Sequence, residues 1–579
     1  MCYTAFVFYP KWEKTGTEAT LSWDVSGYYM YLPAIFIYKD LKKCKFKDDI
    51  LNKYHPTSDF QQAFLDSKSG NYVMKYASGQ ALLMSPFFFV AHAWATYSSK
   101  FPPDGFSFPY QFCIGLGCFL YALIGLYFLR KILLFYFKDV TVAIILVAFV
   151  FGSNYLNYSS IDQAMTHNSL FCISAILIFY SVKFYENPTK IRAAVIGLLI
   201  GLAALVRLPD IILGLIPIFW GVSNLQELRL RYQFFVTHFS KYILAGIFFS
   251  LIFSIQFIYW KFVTGHWFVY SYQEQGFSWL HPNWVIFSTS YKCGWLRFCP
   301  MMALPYLGIL PFLFRKQNLF AVISLVFINY YIVTAWDIWD YGGTSGRAMV
   351  QSYPILAFPF AALIEEINKK KILQALFYSL FIFFIYLNIW WTYHAHKGNV
   401  PVFDLSKEYY WRVLGKWQTD DSDKKLLDNK FSYRGNPAQF ISFYKNNFEQ
   451  DSSKNALTDD SDTKIQLNET LQNTADYWVE KPNVVQKWVR ISADFYSKNK
   501  EWDVWKQSQF IVKFYFQDKE IQDNMIRVQR FLNDSEEKNI FLDVIPPKNW
   551  DKMKVYFWNA GSDKQLIINN LEIITFDKS

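Results

Sequence analysis

A succession of apolar, almost uncharged runs decides what this chain can fold into. They lie at roughly 110–129, 140–157, 168–185, 193–206, 209–222, 242–262, 299–314, 318–336, 348–366 and 372–391. Most approach the ~20 residues that a helix rising ~1.5 Å per residue needs to cross ~30 Å of hydrocarbon, and the short ones fit if tilted or kinked. Of 579 residues, 53% are hydrophobic, 21% aromatic and only 18% charged, where a soluble chain carries about 25% charge. The chain therefore belongs to the membrane class. Met1 to Tyr9 is apolar but too short to span, and lacks the basic start and cleavage site of a signal peptide. It reads as the tail of a truncated first span, which brings the expected total to about eleven.

The net charge of +10 sits in short loops, where it reports topology rather than a nucleic-acid partner. Arg130-Lys131, Lys183 to Arg192, Arg229 to Arg231, Arg315-Lys316 and Lys369 to Lys371 are short and basic, and so are expected on the cytoplasmic side. Ser159 to His167, Gly265 to Arg297 and Trp336 to Arg347 are poor in Lys and Arg and rich in aromatics, and are expected outside. Gly79–Ser98 is apolar but interrupted by Pro86 and His92. Read as an interfacial or re-entrant helix rather than a span, it leaves the whole segment 11–109 as one external loop. The protein is expected to be multi-pass in the inner membrane, with this loop and the C-terminus on the periplasmic side.

After His394 the composition changes. Residues 396–475 are polar, with runs such as Thr458-Asp459-Asp460-Ser461-Asp462, and read as a linker. From 476 to 579 the pattern alternates at period two, as in Val489 to Phe495, Phe510 to Phe516 and Lys554 to Asn559. That is expected to form an all-β sandwich. Tyr556 and Trp558 share one face of their strand, either stacking on sugars or filling the core. Seven cysteines show neither CxxC nor metal-ligand spacing.

The acid that draws notice is Asp24, in Ser22-Trp23-Asp24-Val25-Ser26-Gly27-Tyr28-Tyr29. One role open to it is a helix N-cap. The other is a general base at the membrane surface, deprotonating an acceptor hydroxyl that attacks a sugar C1 opposite a departing phosphate. That reaction needs cations beside the phosphate. Arg347, after Gly342-Gly343-Thr344-Ser345-Gly346, is the first candidate: a guanidinium grips phosphate oxygens bidentately, and backbone N–H groups of the glycine turn can approach the same oxygens. It can equally be a snorkelling anchor. Lys75 and Lys292 are further loop cations, Asp162 and Glu274 are candidate supporting acids, and His167 could orient a sugar. Arg207 and Asp210 mark the turn of a helical hairpin.

Trp23-Asp24, Lys75-Tyr76-Ala77-Ser78-Gly79-Gln80, Tyr270 to Phe277 with Gly294-Trp295, and Trp336-Asp337-Ile338-Trp339-Asp340 to Arg347 with Pro354 occur in an order that resembles membrane glycosyltransferases of the C superfamily. The likeness is to the bacterial mannosyltransferase and aminoarabinose-transferase branch, over residues 1–395. It implies an inverting transferase using a polyprenyl-phosphate sugar, with Asp24 as base and a glycan, lipid or protein acceptor. No cofactor is required; a divalent metal is allowed but no DxD pair near Asp24 supports it. Many members show a second acid beside the first, where this chain has Val25. The closing strands, with Asn559-Ala560-Gly561-Ser562-Asp563 and Asn569-Asn570, resemble jelly-roll carbohydrate-binding modules. A lipid-linked-glycan transporter or flippase, or a polysaccharide polymerase or ligase, are the other readings. A transporter calls for ionisable residues in its spans, which are nearly missing here.

Overall fold

A computed structural model of the chain describes residues 2–57, 61–340, 345–448, 456–459, 462–499, 502–503 and 505–577. They fall into two compact units, Met1–Phe403 and Asp404–Ser579.

Among the described residues of the first unit, five helices are long and apolar enough to cross a membrane: Phe108–Leu133, Thr166–Glu186, Phe239–Thr264, Arg347–Ile367 and Lys371–His396. Shorter apolar helices cover Asp139–Gly152, Leu208–Phe219, Pro300–Arg315 and Leu319–Ala335. The expectation of about eleven membrane-length spans is thus replaced by five long helices and several short or broken ones. Each break has a local cause. The run at 140–157 is interrupted at Gly152-Ser153-Asn154, where Asn388 Nδ2 satisfies the Phe151 and Ser153 carbonyls at 2.9 and 2.8 Å. The run at 299–314 carries Pro300, Pro305 and Pro311 and divides into three helical pieces, since proline supplies no N–H to a helix. Pro209 and Pro217 divide the run at 209–222 into a 3-10 turn, Leu208–Gly214, and a short helix, Leu215–Phe219.

Small residues set the tightest helix packing. Gly197 and Gly201 lie four apart on the Lys190–Val206 helix, the spacing that lets two membrane helices touch backbone to backbone. A Cβ on Gly197 would sit 1.9 Å from the Ala245 carbonyl oxygen, and one on Gly201 2.8 Å from that of Phe249. Gly197→Val is expected to cost about 1–3 kcal/mol by overpacking. Gly246→Val, where nothing lies within 4 Å, is the control. Thermal unfolding in detergent reads both, and equal midpoints would refute the packing argument.

The Gly79–Tyr97 helix begins against the end of the Lys190–Val206 helix, where a Gly79 Cβ would meet Val206 N at 2.4 Å. From there it runs antiparallel along the first part of the Phe108–Leu133 helix. Tyr121 Oη donates to the Leu83 carbonyl at 2.9 Å, Phe87 lies against Gly117, and Trp94 meets Phe108 and Phe112 edge-on.

The second unit is two antiparallel sheets around one apolar core. One places Lys538–Val544, Trp488–Tyr496, Leu566–Asp577, Asp462–Leu467 and Ala456–Asp459 side by side in that order, with Ala438–Asn446 also paired to Leu566–Asp577. The other runs Tyr477–Glu480, Lys552–Trp558, Gln509–Phe516 and Lys519–Arg527. The expected period-two burial is seen along Trp488–Tyr496, which drives the sheets face to face. One detail differs from expectation, and one choice left open is decided. The polar stretch read as a linker, 396–475, carries the Lys407–Val413 helix and strands of the larger sheet, and the compact unit starts at Asp404, not 476. And Phe557, not Tyr556 or Trp558, fills the core: Trp558 is 37% exposed, with Tyr556 on its side of the strand. Residues 460 and 461 of the acidic run lie outside the described residues.

Candidate functional site

Asp24 lies in the first turn of a short helix, Trp23–Tyr29, whose N-cap position is taken by Ser22. Its carboxylate does not cap. Oδ2 accepts from Arg347 Nη2 at 2.7 Å, and Oδ1 accepts from the Tyr76 hydroxyl at 2.8 Å. The side chain remains a quarter exposed at 25%, so one edge is open to a reactant. The residue before it carries backbone strain: Trp23 has φ 47°, a left-handed conformation unusual for a bulky side chain. It is held there by its N–H donating to the Pro56 carbonyl at 3.0 Å, and by Ser26 Oγ donating to its own carbonyl at 2.7 Å.

Each neighbour is positioned by an identifiable local feature. Gly27 makes room for Tyr76: a Cβ there would lie 2.6 Å from the tyrosine ring. Arg347 follows Gly346, which has φ 58° and packs on the Trp295 indole so closely that a Cβ would come within 2.4 Å. Only glycine satisfies both demands. The Gly342-Gly343 part of that turn lies outside the described residues. Lys75 extends its ammonium over the Tyr76 and Tyr272 rings, 5.8 and 5.9 Å from their centroids, and its carbonyl accepts from Ser271 Oγ at 2.7 Å.

Burial by itself would raise the Asp24 carboxyl. The Arg347 guanidinium, the Tyr76 hydroxyl and Lys75 outweigh it and hold the group below the usual carboxylate range.

His167 stands at the start of the Thr166–Glu186 helix, within the electrostatic reach of both Arg207 and Arg347. Its Nδ1 lies 3.3 Å from Arg207 Nη1 and 3.3 Å from Gln351 Oε1. One nitrogen cannot accept from the first and donate to the second at once, so the tautomer selects the partner. Asp210 is buried below Arg207 and its N–H donates to the Arg207 carbonyl at 2.9 Å. The hairpin turn thus points its arginine to His167.

Asp24, Arg347, Lys75 and His167 are therefore gathered, with Tyr76, Arg207, Gln351 and Tyr272, into one cluster. The other candidates are elsewhere. Asp162 accepts from Lys11 Nζ at 2.7 Å and from Asn157 Nδ2 at 2.8 Å, while Asn157 Oδ1 meets His396 Nε2 at 2.6 Å. Burial opposes its ionisation, yet Lys11 and His396 bring its carboxyl down to about 2. It ties the first loop to the end of the last long helix. Lys292 pairs with Asp340 at 2.6 Å and lies over the Phe403 ring. Glu274 is exposed, and no described residue bonds to its carboxylate. Sequence reasoning singled out neither Tyr76 nor Gln351. Tyr76 stands in the Lys75-to-Gln80 stretch already quoted, whereas nothing local marks Gln351.

No group of three or more His, Cys, Asp or Glu that could hold a metal is found among the described residues. Comparison of the chain with protein-family models, with curated proteins and with solved structures finds no match in any of the three.

Proposed function

We propose that the chain is an inverting glycosyltransferase that moves a sugar from a polyprenyl-phosphate donor to an acceptor hydroxyl at the external membrane surface. The observation that carries the reading is the Asp24–Arg347 pair, a partly open carboxylate and a guanidinium brought together across 323 residues. Around this acid stand Arg347, Lys75 and Arg207, three cations against Asp24 and the buried Asp210 beside Arg207. That excess of positive charge suits an anionic leaving group.

In the proposed step the acceptor oxygen attacks C1 and its proton passes to Asp24. The bond from C1 to the phosphate oxygen breaks, and polyprenyl phosphate departs with the electron pair. Arg347 has a dual part. In the resting protein it neutralises Asp24 and weakens it as a base. Once a donor phosphate is present, the guanidinium turns its charge to the phosphate oxygens, and Asp24 recovers basicity as the substrate arrives. Tyr76 keeps the carboxylate oriented throughout.

The membrane topology proposed with this reading takes the five long helices and the shorter apolar ones as its crossings. Arg130, Arg315, Lys316 and Lys369 to Lys371 cluster at the helix ends remote from His167 and Arg347, and short basic loops stay in the cytoplasm. Asp24 then faces the periplasm.

A transporter of a lipid-linked glycan is the second reading. What favours it is the band of buried polar side chains Asn154, Asn157, Gln163, His167 and Asn168 inside the membrane unit. The deciding experiment offers vesicles containing the protein a panel of polyprenyl-phosphate sugars with native envelope acceptors. Release of polyprenyl phosphate is expected. Silence across the panel, with sugar carried across the bilayer, would put the transporter in its place.

A further inference from the structure

The Thr166–Glu186 helix is about 30 Å long at ~1.5 Å per residue. His167 and the acid cluster stand at its start. At its other end, beside Glu186, is a cavity of about 450 Å³, lined among others by Tyr185, Trp220, Arg231, Lys316 and Asn318. The groups around it are short of acceptors. Asn318 is 4% exposed, its Oδ1 accepts from Gly221 N–H at 2.8 Å, and its Nδ2, beside the Tyr136 hydroxyl, has no acceptor at full hydrogen-bond distance. Arg231 stacks 3.4 Å from the Tyr185 ring centroid and donates to the Trp220 carbonyl, while its Nε is buried without a partner. Neither Arg231 nor Lys316 forms an ion pair with a described residue. The two acids at the cavity are already committed: Glu186 to Lys183 at 2.7 Å, and Glu227 to Ser223 N–H at 2.6 Å.

A site with unpaired buried N–H donors and two cations, against the one carboxylate, Glu227, that no cation neutralises, still suits an anionic ligand rich in oxygen. The adjoining Leu225–Thr237 helix shows where such a ligand comes from. None of its residues is buried; Leu225, Leu230, Tyr232 and Val236 are exposed beside Arg229 and Arg231. A helix with exposed apolar and basic side chains of this kind suits a membrane surface. We propose that this cavity binds the headgroup phosphate of an anionic phospholipid, at the membrane face opposite Asp24. Arg231 and Lys316 supply the charge, and Asn318 donates to a phosphate oxygen. Basic pockets between membrane helices recognise lipids by this chemistry. The assignment stands independently of the reaction at Asp24.

The test uses the full chain in detergent. Native mass spectrometry reads retained lipid after addition of phosphatidylglycerol or phosphatidylcholine, and a parallel melting curve includes inorganic phosphate. Wild type is expected to retain phosphatidylglycerol preferentially. Lys316→Gln, an unpaired loop residue whose loss leaves the fold intact, should weaken retention by about fivefold, and Arg231→Gln by at least as much. Arg130→Gln, which removes a cation already paired with Asp139, should leave it unchanged. Equal retention of the two lipids, or an equal loss in the Arg130 variant, would overturn the site. Stabilisation by inorganic phosphate without any by phosphatidylglycerol would overturn the lipid source and assign the cavity to a free phosphate compound.

Discussion

Asp24→Asn is expected to abolish sugar transfer while leaving donor binding and folding intact. Asparagine keeps the side-chain shape and can still accept from Tyr76, but it cannot take the acceptor's proton. A positioned general base is worth about 10²–10⁴-fold, and a loss in this range of turnover, at unchanged lipid affinity, is the expected result. The partial exposure of the side chain, a quarter of its surface, matters here. Because one edge of the carboxylate faces outward, the fold does not depend on its charge as strongly as a sealed core would. Full activity in Asp24→Asn would remove the carboxylate from the chemistry. Asp162 would be a poor replacement, since Lys11 and Asn157 occupy it; the exposed Glu274 would then be the acid to test.

Arg347→Gln is expected to have the second-largest effect, about 10²–10³-fold on kcat, the range for removing one charge-stabilising donor from a reacting centre. A second consequence separates it from an ordinary loss of stability. With Arg347 present the Asp24 carboxyl is held below its usual range, so Asp24 stays ionised and transfer persists into mildly acidic solution. Without the guanidinium, burial dominates and the group rises. The acid limb of the rate profile should therefore move to higher pH in the variant, and the rate should fall as pH drops through the new value. The same sign applies to folding. A depressed carboxyl contributes stability above its unfolded value near 3.9, lost as pH falls through the folded one, and Arg347→Gln should erase that contribution. An unshifted acid limb would mean that Arg347 does not set the charge state of Asp24.

The membrane unit was legible from hydropathy, because long apolar runs have few alternatives. What was not read was where those runs break. The end of the helix at Gly152 is completed by Asn388, which reaches across from a helix far away in sequence. Gly152-Ser153-Asn154 marks the end locally, but nothing near residue 150 shows that Asn388 completes it. The segment 396–475 misled for another reason. Ala438–Asn446 is a strand with residues exposed on both faces, so it lacks the alternation that reveals a half-buried strand. At the site, Asp24 and Arg347 were visible because charge is conspicuous in an apolar chain. Charge alone did not say which acids were free to act: Asp162 stood as a candidate supporting acid, and the structure shows Lys11 occupying it. Gln351 and the His167–Arg207 contact carried no signature, since they join helix ends distant in the chain.

The span of 323 residues between Asp24 and Arg347 has a consequence in time. At a synthesis rate of about 5–20 residues per second, roughly 16–65 s separate the emergence of the two side chains. Through that interval the first loop is already delivered, with an acid and no counter-charge. A nascent chain stalled before Arg347 would hold an unpaired carboxylate and no clamp for a phosphate. The paired cluster would then be completed in one late event, with insertion of the helix that Arg347 begins.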